Sequence, residues 1–360
     1  MMRRKIYAAI FALIVTAVAV AASSFYRGSI TAAPRAASAT ELLAMLPAAD
    51  AVAYLDAQRM VNEVVPHIFI NDSATLARVN QEFDKFKEHT GTDARQLDSI
   101  AIAVRFKNGA AMNTQFVMGL VRGRFNASEA INTGMAKAKA EAEAKKRSFS
   151  WKEEQFEGTT IYSVERTGGF CMAAVDANTL AFGDLEGIKA MLSARAGRGA
   201  RVDSSLTELA TLNPSAVAGF AANVPPSAVK QMVGADEFGE AFNSIKQVYG
   251  SADATGATGT LNVTLRSETG EQAQALAEKL GSLKQLASLF LSRSDAQAPS
   301  QGGTLTVDTD AGSRKQVVVR SLPFTAKWIK DVTITAEGSD VKLRLEEPLS
   351  DMAPIFSGRR

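Results

Sequence analysis

Glu41–Gln58 reads ELLAMLPAADAVAYLDAQ, and Glu208–Asn223 reads ELATLNPSAVAGFAAN. In each, a few residues of helical spacing meet a proline, and a strand-like run carrying V-A and an aromatic residue follows. Recurrence of one local pattern far apart in a chain points to repeated units. Working outward from both copies gives an α+β fold class: two similar units, each an antiparallel sheet with long helices on one face. The expected boundary lies near Gly199, giving units of 40–198 and 199–360 after an N-terminal segment of 1–39.

The first copy is followed by helical patterns at Arg59–Val65 and Ala74–His89. The second carries Leu76, Val79, Phe83 and Phe86 on one stripe and stops at Gly91. Ser99–Phe106 and Gln115–Phe125 read as strands joined through Asn108-Gly109, a hairpin dipeptide. A helix opens at Asn126 or Ser128 and runs to about Arg147, its Ala, Lys and Glu favouring helix and a wet outer face. Strands are expected at Trp151–Phe156, Thr160–Glu165, Phe170–Val175 and Thr179–Phe182, then an amphipathic helix at Asp184–Ala194. Arg195–Arg201 (RAGRGAR) reads as a flexible basic connector.

After the second copy, helices are expected at Pro226–Val233 and Glu237–Tyr249, then a strand at Gly259–Ser267. Gly270–Leu291 is an amphipathic helix with Leu276, Leu280, Leu283, Leu286 and Phe290 on one side. Strands at Thr304–Asp308, Gln316–Ser321, Val332–Ala336 and Val341–Leu345 close the unit, with Ser294–Gly303 as a loop.

The N-terminus decides the compartment. Arg3, Arg4 and Lys5 precede Ile6–Ala22, an apolar run broken only by Thr16. Such a segment directs export, either as a signal peptide or as a retained signal anchor. Small-x-small sites at Ala19-Val-Ala21 and Ala37-Ser-Ala39 favour cleavage, whereas Phe25, Tyr26 and Arg27 favour an interfacial anchor. Ser23–Ala39 reads as a linker. The body is expected in the periplasm, free or anchored to the inner membrane by this helix.

Hydrophobic content of 46% and charged content of 22% belong to a folded chain. Five of the 40 basic residues precede Thr40 and no acidic residue does, so the body holds 35 basic against 38 acidic residues. That balance excludes the clustered basic face nucleic acid requires. The one cysteine, Cys171, precludes an intrachain disulfide and reads as a small buried hydrophobe.

LPAADAVAYLDAQRM (Leu46–Met60), together with DANTLAFGD (Asp176–Asp184), resembles uncharacterised exported proteins of bacterial envelopes. In those, a leucine-proline start and a strand-borne tyrosine-leucine-aspartate precede α+β repeats. The resemblance implies export and architecture, and it carries no activity.

No residue is assigned a catalytic, cofactor-binding or metal-ligating role. His67 and His89 lie in no nucleophile elbow or HExxH pattern. Asp308-Thr-Asp310-Ala-Gly312 starts like a calcium loop, but Val319 stands where its bidentate Glu belongs, so a hairpin turn explains it. Glu153-Glu154 and Glu346-Glu347 point to opposite faces of a strand and form no acid/base pair. The expected function is a non-catalytic envelope binding module for a protein or an amphiphilic ligand. A carboxylate-dependent periplasmic hydrolase, its site assembled from distant segments, and a structural tether are the alternatives.

Overall fold

The computed structural model describes residues 35–107, 110–146, 148–164, 170–225, 242–294, 304–308, 314–318 and 330–353. The apolar segment Ile6–Ala22, the Phe25-Tyr26 pair, the Asn108-Gly109 turn, the Pro226–Val233 helix and residues 309–313 lie outside them. Among the described residues no helix is long and apolar enough to cross a membrane.

Helix α1 (Arg35–Ala44) leads into β1 (Ala51–Asp56). A helical run, α2, follows as Ala57–Arg59, a π stretch Met60–Val64, and Val65–Ile68. Then come α3 (Ser73–Thr90), β2 (Leu97–Lys107), β3 (Ala110–Gly123) and α4 (Ala127–Ala144). Strands β4 (Trp151–Phe156), β5 (Thr159–Val164), β6 (Phe170–Asp176) and β7 (Thr179–Asp184) precede α5 (Leu185–Arg195). After α6 (Ser204–Ala210) the chain forms β8 (Ala218–Asn223), β9 (Gln247–Thr255), β10 (Thr258–Arg266) and α7 (Gly270–Ser294). A ribbon of β11 (Thr304–Asp308) and β12 (Arg314–Val318) is followed by β13 (Thr333–Glu337) and β14 (Asp340–Pro348).

Twelve strands make one antiparallel sheet in the order β13-β14-β10-β9-β8-β1-β2-β3-β7-β6-β5-β4, with β11-β12 apart as a pair. The sheet runs unbroken across the boundary expected near Gly199, because β1 pairs with β8 (Ala51↔Ala222 to Leu55↔Ala218).

Register assigns two faces. On one, Val52, Tyr54, Ala101, Met118, Leu120, Ala173 and Ala181 lie under α1, α5 and α6, whose Leu42, Leu43, Ile188, Met191 and Leu206 complete the main core. On the other, Leu55, Ala218 and Ala254 pack against α2 through Met60, Val64, Val65 and Ile68. Farther along, Val341, Val248 and Leu265 pack against Ala273 and Leu276 of α7.

Local chemistry sets the helix ends. The Asp72 carboxylate accepts from Thr75 N–H at 2.9 Å to open α3, and Gly91, at φ 76°, closes it. Asn126 opens α4, its Oδ1 accepting from Glu129 N–H at 3.0 Å.

Three expectations need correction. Gln247–Tyr249, read as the end of a helix, begins β9, which the sequence reading missed. Ile245 and Tyr249 satisfy helical spacing, but pairing of Tyr249 with Ala221 on one side and Thr264 on the other outweighs it. Arg195–Arg201 is not a loose connector: Arg198 N–H bonds Ser193 O (2.8 Å) and Ala48 N–H bonds Ala200 O (2.9 Å). The linker before residue 40 is shorter than expected, since α1 already begins at Arg35.

Candidate functional site

The strand pair β1–β8 brings together groups that no local pattern connects. Asp56, the last residue of β1, is buried, and its Oδ1 accepts from Arg59 N–H at 2.8 Å, opening α2. That turn aims Arg59 at the other half of the chain. Its guanidinium donates to the carbonyls of Ser215 and Ala254 (the latter at 2.6 Å) and lies 3.0 Å from Asp253 Oδ1. Nε donates to Glu63 at 2.8 Å. Burial works against the charge, but bonding to Glu63 and attraction to Asp253 outweigh it and hold the pKa above its ordinary value. Arg59 therefore fastens the two halves at the C-terminal end of β1, in the middle of the sheet. The sequence offered no signal for it beyond its place in a helical run.

Beside it lies a small cleft lined by Tyr54, Asp56, Thr211, Asn213, Pro214 and Gly219. Its enclosed space is about that of a single water molecule.

A second feature lies on β9, β10, β13 and β14. The face that α1, α5 and α6 cover elsewhere is here polar. Thr333, Thr335 and Glu337 of β13 and Lys342, Arg344 and Glu346 of β14 are all exposed on it. Direct pairing of Thr333 with Arg344 and of Thr335 with Lys342 fixes them on one side. Ion pairs of Lys342 with Glu337, and of Arg344 with Glu346 at 2.8 Å, lace it. Inward, Arg266 grips Asp340 with two bonds (2.8 and 3.0 Å), and Tyr249 donates to Asp340 at 2.9 Å. The Arg266 guanidinium also stacks 5.1 Å above the Tyr249 ring centroid. These bonds, Arg266 first, hold the Asp340 carboxyl below its usual pKa. The result is a fixed, mixed-charge surface on β13 and β14, braced from β9 and β10.

The groups weighed for chemistry are dispersed. His67 lies within α2, its Nδ1–H donating to Glu63 O at 2.6 Å. His89 lies in the last turn of α3, bonded to Lys85 O at 2.6 Å, with Nε2 3.0 Å from Glu141 of α4. Glu154 pairs with Lys189 at 2.5 Å. Glu346 is exposed while Glu347 is buried on the opposite face. Among the described residues no three of His, Cys, Asp and Glu are grouped. Burial raises the pKa of both Asp98 and Asp184. Asp184 accepts from Val117 N–H at 2.8 Å, while Asp98 lies by Arg122 and Arg124. Val117 and Arg122 are about 17 Å apart along β3, at ~3.4 Å per residue, so the two carboxyls do not meet. Cys171 is buried, 3.0 Å from Ser163 Oγ, and burial raises its pKa.

No protein-family model matches the chain, and no curated protein sequence does. Among solved structures it is similar to crystal form IV of TP0453, at 11% identity and a TM-score of 0.44, covering 91% of this chain and 100% of that one. Crystal forms I and III of TP0453 give 9% identity and a TM-score of 0.42 over 88% of this chain, covering 96% and 97% of theirs. At these values the likeness is loose and says nothing of function.

Proposed function

We propose that this chain is an exported envelope protein whose body is a non-catalytic binding module, held in the periplasm or anchored to the inner membrane. The basic tip and apolar run at residues 3–22 support export. We read the body as a duplicated unit. In each half three strands precede a long helix, four strands follow it, and the third strand pairs with the seventh: β3 with β7, β10 with β14.

One observation carries the binding reading. One sheet face changes character along the sheet. Around β1 it is apolar and roofed by α1, α5 and α6. At β13 and β14 it presents Thr333, Thr335, Lys342, Arg344 and Glu346 to solvent. A flat, pre-organised, mixed-charge face suits a protein partner of complementary charge. A hydrolase would need its burial-shifted carboxyls within reach of one substrate, and Asp98 and Asp184 lie beside positions about 17 Å apart along β3, at ~3.4 Å per residue.

The test is native mass spectrometry of the full chain, extracted gently from its own envelope, beside a Lys342→Glu/Arg344→Glu variant. The reading expects a co-purifying protein on the first and its loss from the second. A clean monomer in both cases overturns it.

A further inference from the structure

We propose that the outer edge of β13 accepts a strand, and that its occupant is β12 of the chain's own hairpin, extending the sheet to fourteen strands. Taken with the duplicated-unit reading on which this rests, β12 corresponds to β5 and β13 to β6. In the first half β5 and β6 are paired (Ile161↔Ala173, Tyr162↔Met172, Ser163↔Cys171). In the second, among the described residues, β13 pairs with β14 alone and β12 with β11 alone.

Both unpaired edges carry open backbone donors and acceptors, and a two-stranded ribbon by itself is marginal in water. β13 turns Ile334 toward the α7 core and leaves Thr333 and Thr335 exposed, so a strand added at its edge continues both faces of the sheet, as the period of two requires.

Helix α7 supplies a third indication. Leu276 and Leu280 pack into the core beneath it, yet Leu283 on the same stripe is 38% exposed. Lys284 donates to Val332 O at 2.7 Å, so this turn stands at the start of β13. Two added strands there cover the leucine. Residues 319–332 are ample to reverse the chain between β12 and β13, since a tight hairpin needs only ~2–5 residues.

The test uses the full chain with Cys171→Ala as background. Thr335→Cys is combined in turn with Arg314→Cys, Gln316→Cys and Val318→Cys, three registers on one face. Mild oxidation is followed by intact mass and by hydrogen exchange of Thr333–Glu337. Thr335 is exposed, so its replacement leaves the fold intact, and circular dichroism verifies this. One of the three pairs is expected to close within the monomer, with β13 amides as slow to exchange as those of β14. Failure of all three with fast β13 exchange overturns the proposal. So do cross-links formed only between copies, which give the edge to a second molecule. The binding reading is judged separately, by partner retention on Lys342 and Arg344.

Discussion

Tyr54 and Gly219 stand opposite each other across the β1–β8 pair, the bulkiest side chain of β1 against a residue that has none. The glycine is required by what lies above it. A Cβ there would come within 1.9 Å of the Ala210 carbonyl oxygen, backbone at the end of α6 that has no room to withdraw. Gly219→Ala is therefore expected to cost about 3 kcal/mol, the upper range of overpacking. Urea denaturation measures it, and an unchanged midpoint would show that α6 is free to move.

Arg59 yields a second expectation. Arg59→Ala leaves the Ser215 and Ala254 carbonyls and Asp253 without this partner at a largely buried position. A loss of about 2–3 kcal/mol follows from stranding such acceptors. Arg59→Lys, with one ammonium in place of the fork, recovers part of it. Equal midpoints for the alanine and wild-type chains would mean the halves hold without this residue.

Two aspartates oppose one another in pH dependence. The folded pKa of Asp340 lies below 3.8, chiefly through its bonds from Arg266. Its stabilisation is present above 3.8 and is lost as pH falls through the lower folded value. That of Asp184 lies above 3.8, chiefly through burial. Its contribution is greatest below 3.8 and is lost as pH rises through the folded value. Asp340→Asn is expected to lower the neutral-pH midpoint and flatten the acid limb. Asp184→Asn, which keeps an acceptor for Val117 N–H, is expected to hold or raise the midpoint at neutral pH. Denaturation midpoints across the acid range check both signs, and a reversed order of the two variants would refute them.

Cys171, 1% exposed, with a thiol whose pKa burial raises, is expected to resist alkylation in the native chain and react fully in denaturant. Time-resolved thiol labelling reads the contrast. Rapid native modification would place β6 in frequent local opening.

Much of this architecture is visible locally. Gly91 as the stop of α3, Asn126 as the cap of α4 and the four strands from Trp151 to Asp184 follow from side chains within a few residues of each turn. β9 was missed because its signal is not local. Gly250 reads as a poor strand residue, yet any Cβ there would meet Asn262 O at 2.2 Å, so close pairing demands glycine. The likeness of ELLAMLPAADAVAYLDAQ to ELATLNPSAVAGFAAN suggested two similar units, but nothing in either copy says that their strands pair with each other. The candidate surface divides in the same way. The alternation of Asp340–Glu346 is legible as a strand with one wet face, whereas the partners of Arg59 are three carbonyl and carboxylate groups far along the chain.

The β1–β8 pair also sets the timetable of folding. A chain folds from its N-terminus as it emerges, and β1 is finished long before Ala218–Asn223 appears. Until then Val52, Tyr54 and Leu55 lie on a strand with one naked side, able to recruit any extended segment nearby. Pairing so remote in sequence is slow to form. The first half, cut off after α5, would thus be the sticky form of the protein, and the arrival of residue 223 beside β1 the moment at which that hazard closes.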